Sequence, residues 1–520
     1  MGGAIQGLRL PLPRLGLPCH YPNYHNLEER GDNLKEIRTK KRKEEEMSKH
    51  KQSVKEWAEM QFGGAELGDV RQVERVIKIG QAMANKPGKS IPQLCDSWYD
   101  VKATYQLLKN KELTPENIQL GHREMVLDNI EEPGIYLLIE DTSELSWSSI
   151  REGLGGVGPS NKSLGFHLHT CLAVKWFGTD RNVKSSKIEI IGLADQIYHI
   201  RKPRPSTEPA NNSKLTKKRE RESQLWEKTT ARIGRNNSAA KWIRVCDRGA
   251  DIYEFLISCQ NNNHDFIVRA AYNRVVIDQE TKKEVGKLFD LLGKATICGS
   301  FELELRARPK QAARVAKLEI SVLPISLKSP QRPGYGAGSL PPIKCRAVYV
   351  REISPPAEVK EPIEWTLLCN REIESYEQAL EVVEQYSARW TIEDFHKALK
   401  TGLGAERLQL ETANALLATT AIMSVVALRL IDLRERVRIN PDAAYQNAGF
   451  DQLEVEILKL KTNRDIKTVA DLALAIGRLG GHLNRKGDGM PGFITLWRGI
   501  IELNSLVEGA RLARNLHKFG

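Results

Sequence analysis

Along this chain of 520 residues the spacing of apolar positions changes several times, and each change marks an element. From Trp57 to about Glu116 apolar residues recur every three to four positions, the helical period. Asp69 is placed to cap a helix from Val70 to Met83, and the turn Lys86-Pro87-Gly88-Lys89 leads to another helix ending near Leu108. The period then drops toward two. Ile135 to Ile139, Phe166 to Trp176 and Lys187 to Gly192 read as strands. After a polar stretch from Arg201 to Arg221, Ser223 to Ile233 predicts a helix and Trp242 to Cys246 a strand. Ile252 to Cys259 predicts a further helix and Asp265 to Ala270 a further strand.

Strands in a meander that pass into alternating helix and strand predict an α/β domain, a mixed sheet flanked by helices in the ribonuclease H-like manner. In that arrangement the first and fourth strands are neighbours. From about 271 to 365 the chain is β-prone and broken by prolines, including LEISVL (Leu318 to Leu323) and AVYV (Ala347 to Val350), and reads as an inserted β-subdomain. EWTLLC, Glu364 to Cys369, is the strand that returns from it. A helix over Tyr386 to Lys400 follows, and from about Pro441 the chain is helical, with a glycine hinge at Leu479-Gly480-Gly481 and a closing helix from about Phe493 to Ala510. The expected division is a disordered extension over 1–46, a helical domain over 47–116 that reads as a DNA-binding or docking unit, the α/β domain over 117–440 and a helical domain over 441–520. Met47, just ahead of the first helical pattern, is a candidate start.

Composition adds little except charge. With 41% hydrophobic and 28% charged residues the chain can build an ordinary core, while a net charge of +12 favours a polyanionic partner such as nucleic acid. The eight cysteines are scattered, without the close pairs of a zinc site, and read as reduced thiols of a cytosolic protein. The apolar run Ala415 to Leu428 is shorter than the roughly 20 residues that a bilayer needs, so it predicts a buried helix. The apolar amino terminus is interrupted by Pro11, Pro13 and Pro18, unlike an export signal. No membrane partner is expected.

The densest chemical pattern is Tyr-x2-Arg-x3-Glu-x6-Lys, formed by Tyr386, Arg389, Glu393 and Lys400. On a regular helix these residues and Lys397 fall within an arc of roughly 80°. Such a face offers a carboxylate for a metal ion beside groups that grip successive phosphates. A solvated helix with an ordinary Glu393–Lys397 pair carries the same stripe. Asp141 follows the strand IYLLI and Asp247 follows WIRVC, which puts each at a strand's end and the two side by side. Like charges so placed need a cation between them, although either aspartate alone reads equally as a turn former or a cap. With Glu393 they complete an all-oxygen set suited to Mg²⁺ or Mn²⁺. Two such ions roughly 4 Å apart serve phosphodiester chemistry by activating the attacking oxygen and stabilising the leaving one.

These segments together resemble the insertion-sequence-four family of DDE transposases. LGDVRQVERV, IEDTSELS around Asp141, VCDRGADIYEFL around Asp247, the Tyr-Arg-Glu-Lys signature and RLGGHLNRKGDGMPGFITLWRGI carry the resemblance, which runs from about Trp57 to the end of the chain. It implies cut-and-paste transposition through a DNA hairpin, with Asp141, Asp247 and Glu393 as catalytic residues and ligands of two Mg²⁺ ions, for which Mn²⁺ can substitute. It also implies that Tyr386, Arg389, Lys397 and Lys400 hold phosphates and the hairpin. Arg269 would contact DNA, and Trp365 would stack on a flipped base. The implied partners are double-stranded DNA, both transposon ends and target, and a second copy of the chain, joined through the helix near Leu496 to Leu512. The implied location is the nucleoid in a bacterial cytoplasm. Two positions depart from the family, Ala271 in place of a basic residue and Tyr253 in place of a histidine. A silent DNA-binding inhibitor or domesticated relic, and a nuclease that cuts without joining, are the competing readings; three mutually repelling carboxylates kept intact argue against a relic.

Overall fold

The computed structural model describes residues 53–149, 151–158, 161–180, 185–202, 221–305, 313–330, 340–485 and 488–516. The extension over 1–46, and with it the candidate start at Met47, lies outside the described residues, as does most of the polar stretch before Arg221. Among the described residues five helices come first: α1 (Val54–Phe62), α2 (Val70–Asn85), the short α3 (Ile91–Leu94), α4 (Trp98–Leu108) and α5 (Pro115–Ile130). Asp69 caps α2 by accepting from the Arg71 N–H, as its position suggests. Helix α5 is not anticipated by the periodicity, although Thr114 capping it with Pro115 at its first position is a start signal.

A sheet of twelve strands forms the centre. The strands are β1 (Ile135–Trp147), β2 (Gly155–Val157), β3 (Ser163–Asp180), β4 (Ser185–His199), β5 (Lys241–Cys246), β6 (Asp265–Arg269), β7 (Val275–Ile277), β8 (Glu284–Lys287), β9 (Thr296–Leu305), β10 (Arg314–Leu327), β11 (Ile343–Glu352) and β12 (Glu364–Cys369). Helices α6 (Leu225–Ile233) and α7 (Tyr253–Asn261) flank β5, and the short α8 (Leu288–Leu291) follows β8. Strand β1 pairs antiparallel with β3 and parallel with β5, and β5 pairs parallel with β6. The expected neighbours, IYLLI and WIRVC, are thus adjacent. Being paired on both sides and covered on both faces, they are apolar almost throughout. The inserted strands extend this same sheet, since β12 hydrogen-bonds to both β6 and β11.

The two faces of the sheet are covered differently. Leu137, Ile139, Ile243 and Val245 share a core with helices α9 (Tyr376–Ser387), α10 (Trp390–Lys397) and α11 (Ala413–Ile439). On the other face Cys246 and Phe266 pack with Leu225, Trp226 and Phe255 of α6 and α7. Helix α11 is 27 residues long and apolar enough to cross a bilayer, yet 83% of its most apolar window is buried within the protein. It is the buried helix expected from the run at Ala415, longer than the run itself. The last α-helices among the described residues are α12 (Gln452–Thr462), α13 (Val469–Leu479) and α14 (Phe493–Leu516). Gly480, in the glycine pair, is a close-packing position: a Cβ there would lie 1.9 Å from the Thr495 carbonyl oxygen of α14.

Two sequence expectations need correction. Strand β1 does not stop at Ile139 but runs on to Trp147, so Asp141 lies within the strand, paired with Thr170 of β3. What stops there is only the ladder to β5, whose last pair is Glu140 with Cys246. The Tyr386 to Lys400 helix is not one regular helix either. Between α9 and α10 the Arg389, Thr391 and Ile392 amides donate three residues back, a tightened turn, and Ala398–Gly402 is wound as a π-helix. A constant 100° step therefore fails to describe this face.

Candidate active site

Asp141 and Asp247 are brought together by the parallel β1–β5 register, one residue beyond the last ladder pair on each strand. Asp247 also caps the short turn Arg248–Ala250 by accepting from the Gly249 N–H at 2.8 Å. Asp141 accepts from the Thr142 N–H at 2.8 Å. Burial, and after it the charge of Asp247, push the Asp141 carboxyl up to about 6, against the pull of the Thr142 amide and Arg389; Glu393 adds to the rise. Asp141 therefore senses both of the other carboxylates.

Arg389 stands among them. Its Nη2 donates to Glu393 Oε1 at 2.6 Å and its Nη1 lies 3.8 Å from Asp141 Oδ2. The tightened turn preceding α10 sets this contact, with Glu393 one turn further on. Tyr386, at the end of α9, is buried, and burial raises its hydroxyl pKa; Arg389 and Arg269 lower it and Asp247 raises it further. Its ring lies 6.3 Å from that of Trp365, centroid to centroid. Arg269 donates to the Glu364 carbonyl at 3.1 Å. Asp141, Asp247, Glu393, Arg389, Tyr386, Arg269 and Trp365 thus form one continuous group drawn from β1, β5, β6, β12 and the α9–α10 corner. Lys397 is exposed one turn beyond Glu393, and Lys400 lies in the π-turn near buried His396. No direct contact joins either lysine to the carboxylates.

Among the described residues, no three His, Cys, Asp or Glu side chains stand close enough to enclose a metal ion as they are placed. The donor set nevertheless fits a hard divalent cation. It is all carboxylate oxygen, and the pKa of Asp141, raised by burial first and by the Asp247 charge second, marks a buried carboxylate whose ionised form a cation would favour. Two further features escape the sequence reading. Trp390 is 59% exposed with the Arg389 guanidinium over its ring at 5.5 Å, and it sits inside the signature itself. Glu140, beside Asp141, is fully buried and ion-paired with Arg244; a charged residue within an apolar strand was the available signal. Of the family departures, Tyr253 faces away from the site, its hydroxyl donating to the Leu327 and Pro341 carbonyls at 3.2 and 2.8 Å.

Three family models match the chain. A transposase DNA-binding model matches residues 54–113, a transposase DDE domain model residues 210–428, and a Tn5 transposase dimerisation domain model residues 449–520. The DDE match takes in Asp247 and Glu393 and begins beyond Asp141. A helical DNA-binding module, a mixed α/β domain carrying clustered carboxylates and a helical dimerisation module define a DNA transposase. The chain belongs to the DDE transposases of the Tn5 type.

Proposed function

We propose that this transposase excises and reinserts an insertion sequence by cut-and-paste chemistry at Asp141, Asp247 and Glu393, through a hairpin on the transposon end. The observation that carries the reading is the meeting of these carboxylates with Arg389, Tyr386, Arg269 and Trp365. The order β4-β3-β1-β5-β6, with β1, β5 and β6 parallel, supports a ribonuclease H-like core. Asp141, Asp247 and Glu393 would hold the divalent ions, Mg²⁺ or Mn²⁺ and two per site, which when bound supply an activated oxygen nucleophile and stabilise the leaving oxygen. Arg389 exchanges its carboxylate partners for DNA phosphate, whose two non-bridging oxygens accept from the guanidinium fork as a carboxylate does. Tyr386 and Arg269 hold the neighbouring phosphate, Lys397 and Lys400 extend the track outward, and Trp365 receives an unstacked base. The DNA-binding helices hold the transposon end, the C-terminal helices join two protomers, and the work is done at the nucleoid of a bacterial cell.

The test is end cleavage by the full chain on DNA carrying the element's own termini with Mg²⁺ or Mn²⁺. Glu393→Gln and Asp247→Asn should each abolish nicking and hairpin products while retaining DNA binding in gel shifts. Wild type that binds the ends without cutting them would instead identify an inhibitor or relic.

A further inference from the structure

The face of β1 opposite Asp141 carries a buried polar chain that the chemistry above does not use. Glu140, Arg244 and His169 have fully buried side chains. Arg244 Nε donates to Glu140 Oε1 at 2.5 Å, His169 Nε2 lies 3.1 Å from Glu140 Oε2, and His169 Nδ1 lies 2.8 Å from Thr142 Oγ1. With Nε2–H donating to Glu140, Nδ1 of the neutral ring accepts from the Thr142 hydroxyl. The two residues flanking Asp141 are therefore tied into a single chain, Glu140 to both β5 and β3 and Thr142 to β3. The chain reaches Asp247 as well. Arg244 lies three residues ahead of it, and the Trp226 ring that meets His169 edge-on at 4.8 Å also bounds Gly249, whose amide donates to Asp247.

A buried ion pair gains little stability over a well-packed apolar pair, because desolvation offsets most of its attraction. What it supplies is register: Glu140 meets Arg244 in one alignment of β1 on β5, and a slip of one residue would carry Asp141 to the opposite face. We propose that Glu140, Arg244, His169 and Thr142 are positioning residues that hold Asp141 and Asp247 in register for the divalent ions. This inference rests on the metal role given to the two aspartates.

The test uses the full chain, with Mn²⁺ alone as the calorimetric probe, alongside the melting temperature and the kcat and KM of end cleavage. The double variant Glu140→Leu/Arg244→Met should melt within about 5 °C of wild type, since an apolar pair replaces the charges. It should bind Mn²⁺ at least about tenfold more weakly and lose kcat about tenfold with KM for DNA unchanged, a split that lost packing alone does not produce. Arg244→Lys should recover part of the Mn²⁺ affinity. A stable double variant with wild-type Mn²⁺ affinity and kcat would overturn the proposal. If the double variant does not fold, Thr142→Val decides, because it removes one hydroxyl and no charge: weaker Mn²⁺ binding by a few fold supports the proposal and unchanged binding defeats it. Wild type that neither binds Mn²⁺ nor cuts DNA would instead bring down the functional reading and this inference with it.

Discussion

With its guanidinium 2.6 Å from Glu393 and 3.8 Å from Asp141, Arg389 puts a positive charge between two of the proposed metal ligands. Under the proposed function it competes with metal and grips phosphate, two roles with opposite signs in two assays. Arg389→Gln should therefore raise Mn²⁺ affinity of the DNA-free chain by about fivefold, the ~1 kcal/mol scale of one partly screened charge contact, while lowering the rate of end cleavage. Calorimetry beside a cleavage time course checks both arms, and weaker Mn²⁺ binding would deny the competition. Trp365 sits beside Tyr386 with part of its surface exposed, as the proposed stacking of an unstacked base requires. Trp365→Ala should cost about 1–3 kcal/mol in the hairpin step, the scale of one base on one aromatic, and leave the first nick unaffected. Separate quantitation of nicked and hairpin products reads the difference.

At the scale of elements, the α9–α10 corner decides where the signature points. A regular helix would carry Tyr386, Arg389 and Glu393 on one rigid face; the tightened turn draws Arg389 back toward Asp141, and the π-turn after Lys397 resets the phase before Lys400. The C-terminal helices depend on close approach. A Cβ at Gly499 would meet the Ile476 carbonyl oxygen at 1.9 Å, so Gly499→Ala must force α13 and α14 apart. The expected cost is about 1–3 kcal/mol, confined to the C-terminal core, with weaker self-association in sedimentation velocity and unchanged Mn²⁺ binding in the α/β domain.

Across the whole molecule, His122, His264 and His396 are buried, and burial lowers their pKa values to about 4, 3 and 3. Unfolded histidine titrates near 6.5, so between roughly pH 6.5 and 4 the unfolded chain binds protons that the folded chain refuses. Stability from these groups is complete above that window and falls as the pH drops through it. Urea midpoints should decline from pH 7 to pH 4.5, with His122→Asn flattening the slope. The net charge of +12 sets a second whole-molecule property, a steep loss of DNA affinity with salt. That charge is not all free for DNA: Arg75 and Lys78 of the DNA-binding helices are both engaged with Asp100, at 2.6 and 2.9 Å.

Local rules made much of this legible. Asp69 capping α2, the apolar runs of β1 and β5, the alternation of strand and helix and the spacing from Tyr386 to Lys400 all depend on neighbours within a few residues, and the amino-acid sequence by itself determined them. The carboxylates could be named because one residue type recurred after apolar strands. Tertiary structure decided what depends on partners distant in the chain. Strand β1 runs past Asp141 because β3 pairs with it along its length, which no pattern in IEDTSELS announces. Arg389 rests between Asp141 and Glu393 because the turn tightens and β1 lies beneath it, and Glu140 tolerates complete burial because Arg244 and His169 arrive from two other strands. Periodicity records which face of an element is buried; only the folded chain determines which charges meet there, since their attraction depends on distances set by pairings between residues far apart in sequence.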